Sequence, residues 1–206
     1  MMFILGQARC GILEGRYRVK NADKAKAAKS KQGKDKSGGN QPAQEKVKKS
    51  VALRQHLLFL LQKGGAHAGF EDAVKDLPVE ARGKRPKGAE HSPWELLEHL
   101  RIVQWDILEF SRDTRHASPK WPEDYWPGSP EPPKKTSWDK SVAAFRKDLK
   151  AMCDLVADEA TDLYAPIEHG DGQTILREAL LLADHNAYTV GQVVLVRRLL
   201  GVWPAA

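Results

Sequence analysis

Apolar positions begin to recur at helical spacing from Ser50 onward. Val51, Leu53, Leu57, Leu58, Leu60 and Leu61 form a stripe that ends at Gly64-Gly65, a natural helix C-terminus. A short second piece fits His67 to Leu77, closed by Pro78, and the basic, Gly- and Pro-containing stretch 81–90 reads as loop. The next start is sharper. Ser92-Pro93-Trp94-Glu95 supplies a capping serine, a proline at the first helical position and a glutamate three residues after the cap. Leu96, Leu97, Leu100, Val103, Ile107, Leu108 and Phe110 carry that helix to about Arg112, and Pro119 cannot continue it.

A third long helix is expected from Ser137 to Ala160, with Val142, Phe145, Leu149, Met152 and Val156 on one face. Thr174 caps a fourth, which runs through Leu200 and stops at Gly201. Four substantial helices and no convincing strand predict an all-α four-helix bundle. Residues 117–136 form a long aromatic loop with Trp121, Tyr125 and Trp126 among its prolines. A helix of about 20 residues is about 30 Å long, and about 20 extended residues reach roughly 65 Å, so this loop can cross the bundle and start the third helix parallel to the second. Its aromatics then lid the core or face a substrate.

Composition divides the chain. Residues 1–50 hold 13 Lys/Arg against 4 Asp/Glu, whereas residues 51–206 hold 20 against 23, so the overall charge of +6 belongs to the first segment. Within residues 20–49 only Val47 is large and apolar, too little to offset chain entropy, and disorder is expected there. The domain expectation is a basic tail at 1–49 and a bundle at 50–206. The tail reads as a solvated linker, or as an arm for nucleic acid or another acidic surface; the domain itself has no basic footprint. No run of apolar residues is long enough to span a membrane. Met1-Met2-Phe3-Ile4-Leu5 is too short for a signal-peptide core, and Cys10 and Cys153 make no framework, so a cytoplasmic protein is expected.

The chemistry concentrates on few residues. His185-Asn186-Ala187-Tyr188-Thr189-Val190-Gly191-Gln192 reads His-x3-Thr-x-Gly-Gln, and positions 185 and 189 share a helix face one turn apart. A bundle metal site is built from inward-facing side chains on facing helices, and the second helix offers His99. Neutral imidazoles suit Zn, Ni or Fe. The competing reading is a pair of buried histidines hydrogen-bonded within the bundle. Asn186 and Gln192 either orient a ligand histidine or bond to the neighbouring helix. Cys153 reads as a small core residue, and Arg197-Arg198 as last-turn basic residues that suit the helix dipole.

Several stretches resemble the DinB-like superfamily, in the branch with a His-Ser-Pro-Trp-Glu-Leu-Leu-Glu-His-Leu-Arg helix. They are His91-Ser92-Pro93-Trp94-Glu95-Leu96-Leu97-Glu98-His99-Leu100-Arg101-Ile102, residues 104–111, Trp121-Pro122-Glu123, residues 169–174, and residues 183–188 with Gly191-Gln192. The resemblance covers about residues 50–203. It implies an up-down-down-up bundle with a long crossover between the second and third helices. It also implies a metal site with one histidine from the second helix and two from a His-x3-His pattern in the fourth. Carried over, the ligands are His99 and His185, and the third falls on Thr189, where the pattern is broken; His67 is a candidate substitute. Characterised members are thiol-dependent transferases or isomerases acting on small electrophiles. Two functions are therefore expected to compete: a metal-dependent transferase or hydrolase with an incomplete histidine triad and an unidentified small-molecule substrate, and a metal-free bundle serving as a binding or structural protein. The resemblance also implies pairing into a homodimer, for which Trp94, Trp105 and Trp138 would supply aromatic surface.

Overall fold

A computed structural model describes residues 41–204. Five α-helices lie along them: α1 (Gln41–Lys63), α2 (Phe70–Val74), α3 (Pro93–Arg112), α4 (Ser137–Ala157) and α5 (Ile175–Leu199), with no strand among the described residues. No helix there is long and apolar enough to cross a membrane.

The expected starts hold best where they are local. Ser92 Oγ accepts from the Glu95 amide at 3.2 Å, and the Glu95 carboxylate accepts from the Ser92 amide at 2.8 Å, which closes the capping box. Thr174 accepts from the Arg177 amide at 3.2 Å and opens α5. Gly201, at φ 70°, takes the left-handed turn that ends it. α4 stops at Ala157 rather than Ala160, and the short piece before Pro78 is the five-residue α2.

α1 departs from expectation. It starts at Gln41, so residues 41–49 are helical where disorder was expected; the remainder of that expectation, up to residue 40, lies outside the described residues. Gln, Ala, Glu and Lys are good helix formers, and extending an existing helix requires no new nucleus. A Glu45–Lys49 pair at 2.7 Å sits at the helical i,i+4 spacing.

From Ser50 onward the chain packs as one unit. Leu96 and Leu100 of α3 meet Phe145 of α4 and Val190, Val193 and Val196 of α5 in one cluster. A second gathers Trp94, Leu97, Trp138 and Val142 with Val74 and Leu77. Trp94 and Trp138 are thus core residues and leave no aromatic surface for a partner; only Trp105 stays half-exposed. Both were read as surface because their apolar neighbours at α2 are too few to form a visible periodic stripe.

Pairwise contacts fix the helix directions. Glu98 meets Ser141, and Gln104 meets the Phe145 carbonyl, so α3 and α4 advance together. Gln104 meets Asn186 early in α5 while Leu96 clusters with Val196 near its end, so α5 runs against α3. The segment between α3 and α4 makes the parallel pairing possible, as its length predicts. Arg54 of α1 donates to the carbonyls of Val156, at the end of α4, and of Thr161, in the loop that follows, each at 2.6 Å.

Candidate functional site

α3 and α5 bring His99 and His185 together. Their Nε2 atoms lie 3.2 Å apart, and both residues are buried, at 2% and 4% exposure. The His99 ring owes its orientation to the crossover. Its Nδ1 lies 3.0 Å from the Tyr125 carbonyl, and as a carbonyl can only accept, Nδ1 carries the proton and Nε2 keeps its lone pair. Trp126 stacks on the same ring at 4.0 Å with 2° between planes, and His91 stacks on Trp126 at 4.0 Å. Tyr125 and Trp126 of the crossover therefore lie against the histidine pair.

Burial lowers the affinity of both rings for a second proton. It acts first on His99, opposed by the bond to Tyr125. His185 is pushed down to about 3 by burial and then by His99, with the Asn186 amide opposing. No bond between that amide and His185 Nδ1 meets hydrogen-bond geometry; His185 Nδ1 and Asn186 Oδ1 both lack a partner. The pair is therefore neutral at ordinary pH, the form in which imidazole ligates metals.

Thr189 Oγ1 lies 3.5 Å from His185 Nε2, on the face that helical spacing assigns it. His67 does not join. It is exposed after α1, with Nδ1 2.9 Å from the Ala68 carbonyl. No group of three His, Cys, Asp or Glu side chains converges to hold a metal among the described residues. Asn186 donates to Gln104 Oε1 at 3.0 Å, and Gln104 donates to the Phe145 carbonyl at 2.6 Å, so this amide chain ties α5 to α3 and α4. Gln192 is half-buried, and no hydrogen bond among the described residues links it to either ring.

Two further turns of α3 carry a second buried cluster that helical spacing alone does not reveal. Asp106 accepts from the Tyr125 hydroxyl at 2.6 Å and from His116 Nε2 at 2.7 Å. Burial, then the Asp106 carboxylate, holds the Tyr125 phenol above its usual range. Tyr125 thus binds Asp106 through its hydroxyl and His99 through its carbonyl. Asp106, seven residues after His99 on α3, reaches the histidine pair one residue removed, through Tyr125. The signal for it was a tyrosine next to a tryptophan in a loop otherwise rich in proline.

The remaining singled-out residues are structural. Cys153 is buried in α4, and burial pushes its thiol up, which disfavours the nucleophilic thiolate. Arg197 lies in the last turn of α5, as expected, and is 1% exposed. Its guanidinium donates to the carbonyls of Asp72, Ala73 and Lys75 at the end of α2 and to that of Val202. The apolar neighbours 193 and 196 put it on the buried side of α5.

A family model described as the DinB superfamily matches residues 65–193. No curated protein and no solved structure is similar enough to the chain to count as a match.

Proposed function

The chain belongs to the DinB superfamily, and on that footing we propose that its up-down-down-up four-helix bundle holds a divalent transition metal between His99 and His185, at the site of a metal-dependent transferase or hydrolase. The supporting observation is the 3.2 Å between the two Nε2 atoms. Two bonds of about 2.0–2.1 Å to one ion at the tetrahedral angle place their nitrogens about 3.3 Å apart. The donor set agrees with this. His99 presents an Nε2 lone pair because Tyr125 takes its Nδ1 proton, and an imidazole fixed from its far nitrogen is the usual arrangement for a ligand. The chemistry such an ion supplies is polarisation of a substrate carbonyl, or a lowered pKa for a bound water or thiol.

The chain's own residues define the rest of the site. Thr189 places a neutral hydroxyl where the family pattern has its third imidazole, which leaves that side for water or a small substrate. Trp126 covers His99 and excludes solvent, which strengthens polar interactions beneath it. Asp106 and Tyr125 hold the crossover in place over the ring.

A specific observation favours a second reading, a metal-free bundle with a binding or structural role. Thr189 is a poor ligand for a borderline metal, and no three-ligand group exists among the described residues. In that reading His185 Nε2–H donates to His99 Nε2. Metal analysis and calorimetric titration with Zn, Ni and Fe, on protein purified without a histidine tag, separate the two. The first reading expects about one equivalent bound, lost in His99→Ala and His185→Ala. Less than about a tenth of an equivalent after supplementation, with binding appearing only in Thr189→His, would establish the second.

A further inference from the structure

His99, His185 and Thr189 are all buried, so an ion or substrate reaches the two Nε2 atoms only after something moves. The helices that carry them are locked by core packing: Leu96, Leu100, Val190 and Val193 are at most 3% exposed and share one cluster with Phe145. The crossover is held differently, at two separate places. Tyr125 is held through its hydroxyl by Asp106 at 2.6 Å and through its carbonyl by His99 Nδ1 at 3.0 Å. Further on, the Pro130 carbonyl accepts from Ser92 Oγ at 2.6 Å, and Glu131 lies so close to Gly83 that a Cβ there would come within 3.0 Å of its Cα. Between these pins lie Trp126, Pro127, Gly128 and Ser129, which make no backbone–backbone hydrogen bond among the described residues. The one side-chain bond of that span is local, from the Glu131 amide to Ser129 Oγ at 3.2 Å.

We propose that residues 126–129 are the gate of the histidine pair, with Trp126 as the part that swings away and His91 as its latch. The indole lies flat on the His99 ring, at 4.0 Å and 2°, and that ring's Nε2 is the one that meets His185. His91, in the loop before α3, stacks on the same indole at 4.0 Å and 15°. Its Nδ1 is buried with no hydrogen-bond partner, so that nitrogen does not anchor the ring and the stack does. Two stacks hold the gate shut, and breaking them is a local opening that leaves the core packed. The backbone suits such a motion. Proline fixes its own φ and keeps the residue before it extended, as Trp126 is at φ −128° and ψ 145°. Trp126 and Pro127 therefore move as a stiff pair, and Gly128, where an added Cβ would meet nothing within 4 Å, takes up the change in φ and ψ. Tyr125 lies outside the moving span. His99 thus keeps its Nδ1 partner when uncovered, and its Nε2 stays aimed at His185. The gate rests on the reading of the pair as a ligand site, but its test uses no metal.

Acylation of imidazole by diethyl pyrocarbonate, followed residue by residue by mass spectrometry on the full chain freed of metal by chelation, tests this. His99 and His185 should react more slowly than the exposed His67. Their rate should be nearly independent of urea below the unfolding transition, because so short an opening exposes little surface. Thiol labelling of the buried Cys153, in a Cys10→Ser background, reports global unfolding and should rise steeply with urea. Trp126→Ala removes both stacks and should speed acylation at His99 and His185 by about tenfold or more. His91→Ala should speed it by a smaller factor, and His67 should be unchanged in both variants. Circular dichroism shows that the variants fold, and the Cys153 rate in each corrects for any loss of global stability. Acylation of the pair that follows Cys153 in its urea dependence overturns the gate, since access is then by unfolding. So does a Trp126→Ala rate that rises no more than the Cys153 rate does. Neither result alters what the metal titration reads, so the gate and the metal site fail separately.

Discussion

Helix α3 carries two buried polar clusters, about two turns apart, and they are bonded in different ways. At Asp106 each carboxylate oxygen has a donor, one from Tyr125 and one from His116, at 2.6 and 2.7 Å. At His99 and His185 the bonding is unfinished: the rings meet at 3.2 Å, His185 Nδ1 has no partner, and Thr189 stands at the edge of hydrogen-bond reach. A buried polar group left unpaired costs free energy, so a fold keeps one only against that cost. The Asp106 cluster has the form of a structural clamp. The histidine pair leaves one buried ring nitrogen without a partner.

That contrast can be broken at either cluster. The largest effect is expected from Asp106→Ala, which strands two buried donors and frees the segment that positions His99. Urea denaturation should show a loss of about 3 kcal/mol. A loss below about 1 kcal/mol would mean that the clamp is not one. Next comes Thr189→His, which supplies the missing imidazole and should raise Zn affinity by about 100-fold in calorimetric titration. An unchanged affinity would show that position 189 does not face the ion.

The third effect is on pH. Both histidines resist protonation when folded, His185 down to about 3, whereas unfolded histidine titrates near 6.5. Between those values the unfolded chain binds more protons than the folded one. The stability linked to His185 is thus complete above about pH 6.5 and is lost as pH falls towards 3, by up to about 1.4 kcal/mol per pH unit. Urea melts of His185→Leu across that window should show a shallower slope than the parent; equal slopes would locate the acid sensitivity elsewhere. The smallest effect is expected from Gln192→Ala, since no hydrogen bond among the described residues links Gln192 to either ring. Stability and metal affinity should both stay within about 0.5 kcal/mol of the parent.

The parts of this arrangement legible in the sequence are those set by local geometry. Ser92-Pro93-Trp94-Glu95 announces α3 because a capping box is complete within four residues. His185 and Thr189 announce a shared face because one helical turn fixes it. The meeting of His99 with His185 needed two helices in register, which the DinB-like stretches supplied and periodicity did not. The Tyr125 carbonyl on His99 was out of reach, since a backbone atom carries no residue identity. Residues 41–49 were misread for another reason: composition reports the lack of a buried face, not whether a neighbouring helix will propagate through. The last-turn position of Arg197 was legible, but its burial among valines was not.

Arg197 also bears on where the domain ends. The family match stops at residue 193, and the side chain holding α2 lies four residues beyond it. A chain trimmed to the matched segment would lose that guanidinium, and with it the only described side-chain donors to the Asp72, Ala73 and Lys75 carbonyls. It would lose α1 as well, whose Leu57 and Leu61 are buried. The segment that identifies the protein is therefore smaller than the segment that folds, and expression boundaries for biochemical work belong outside both α1 and Val202.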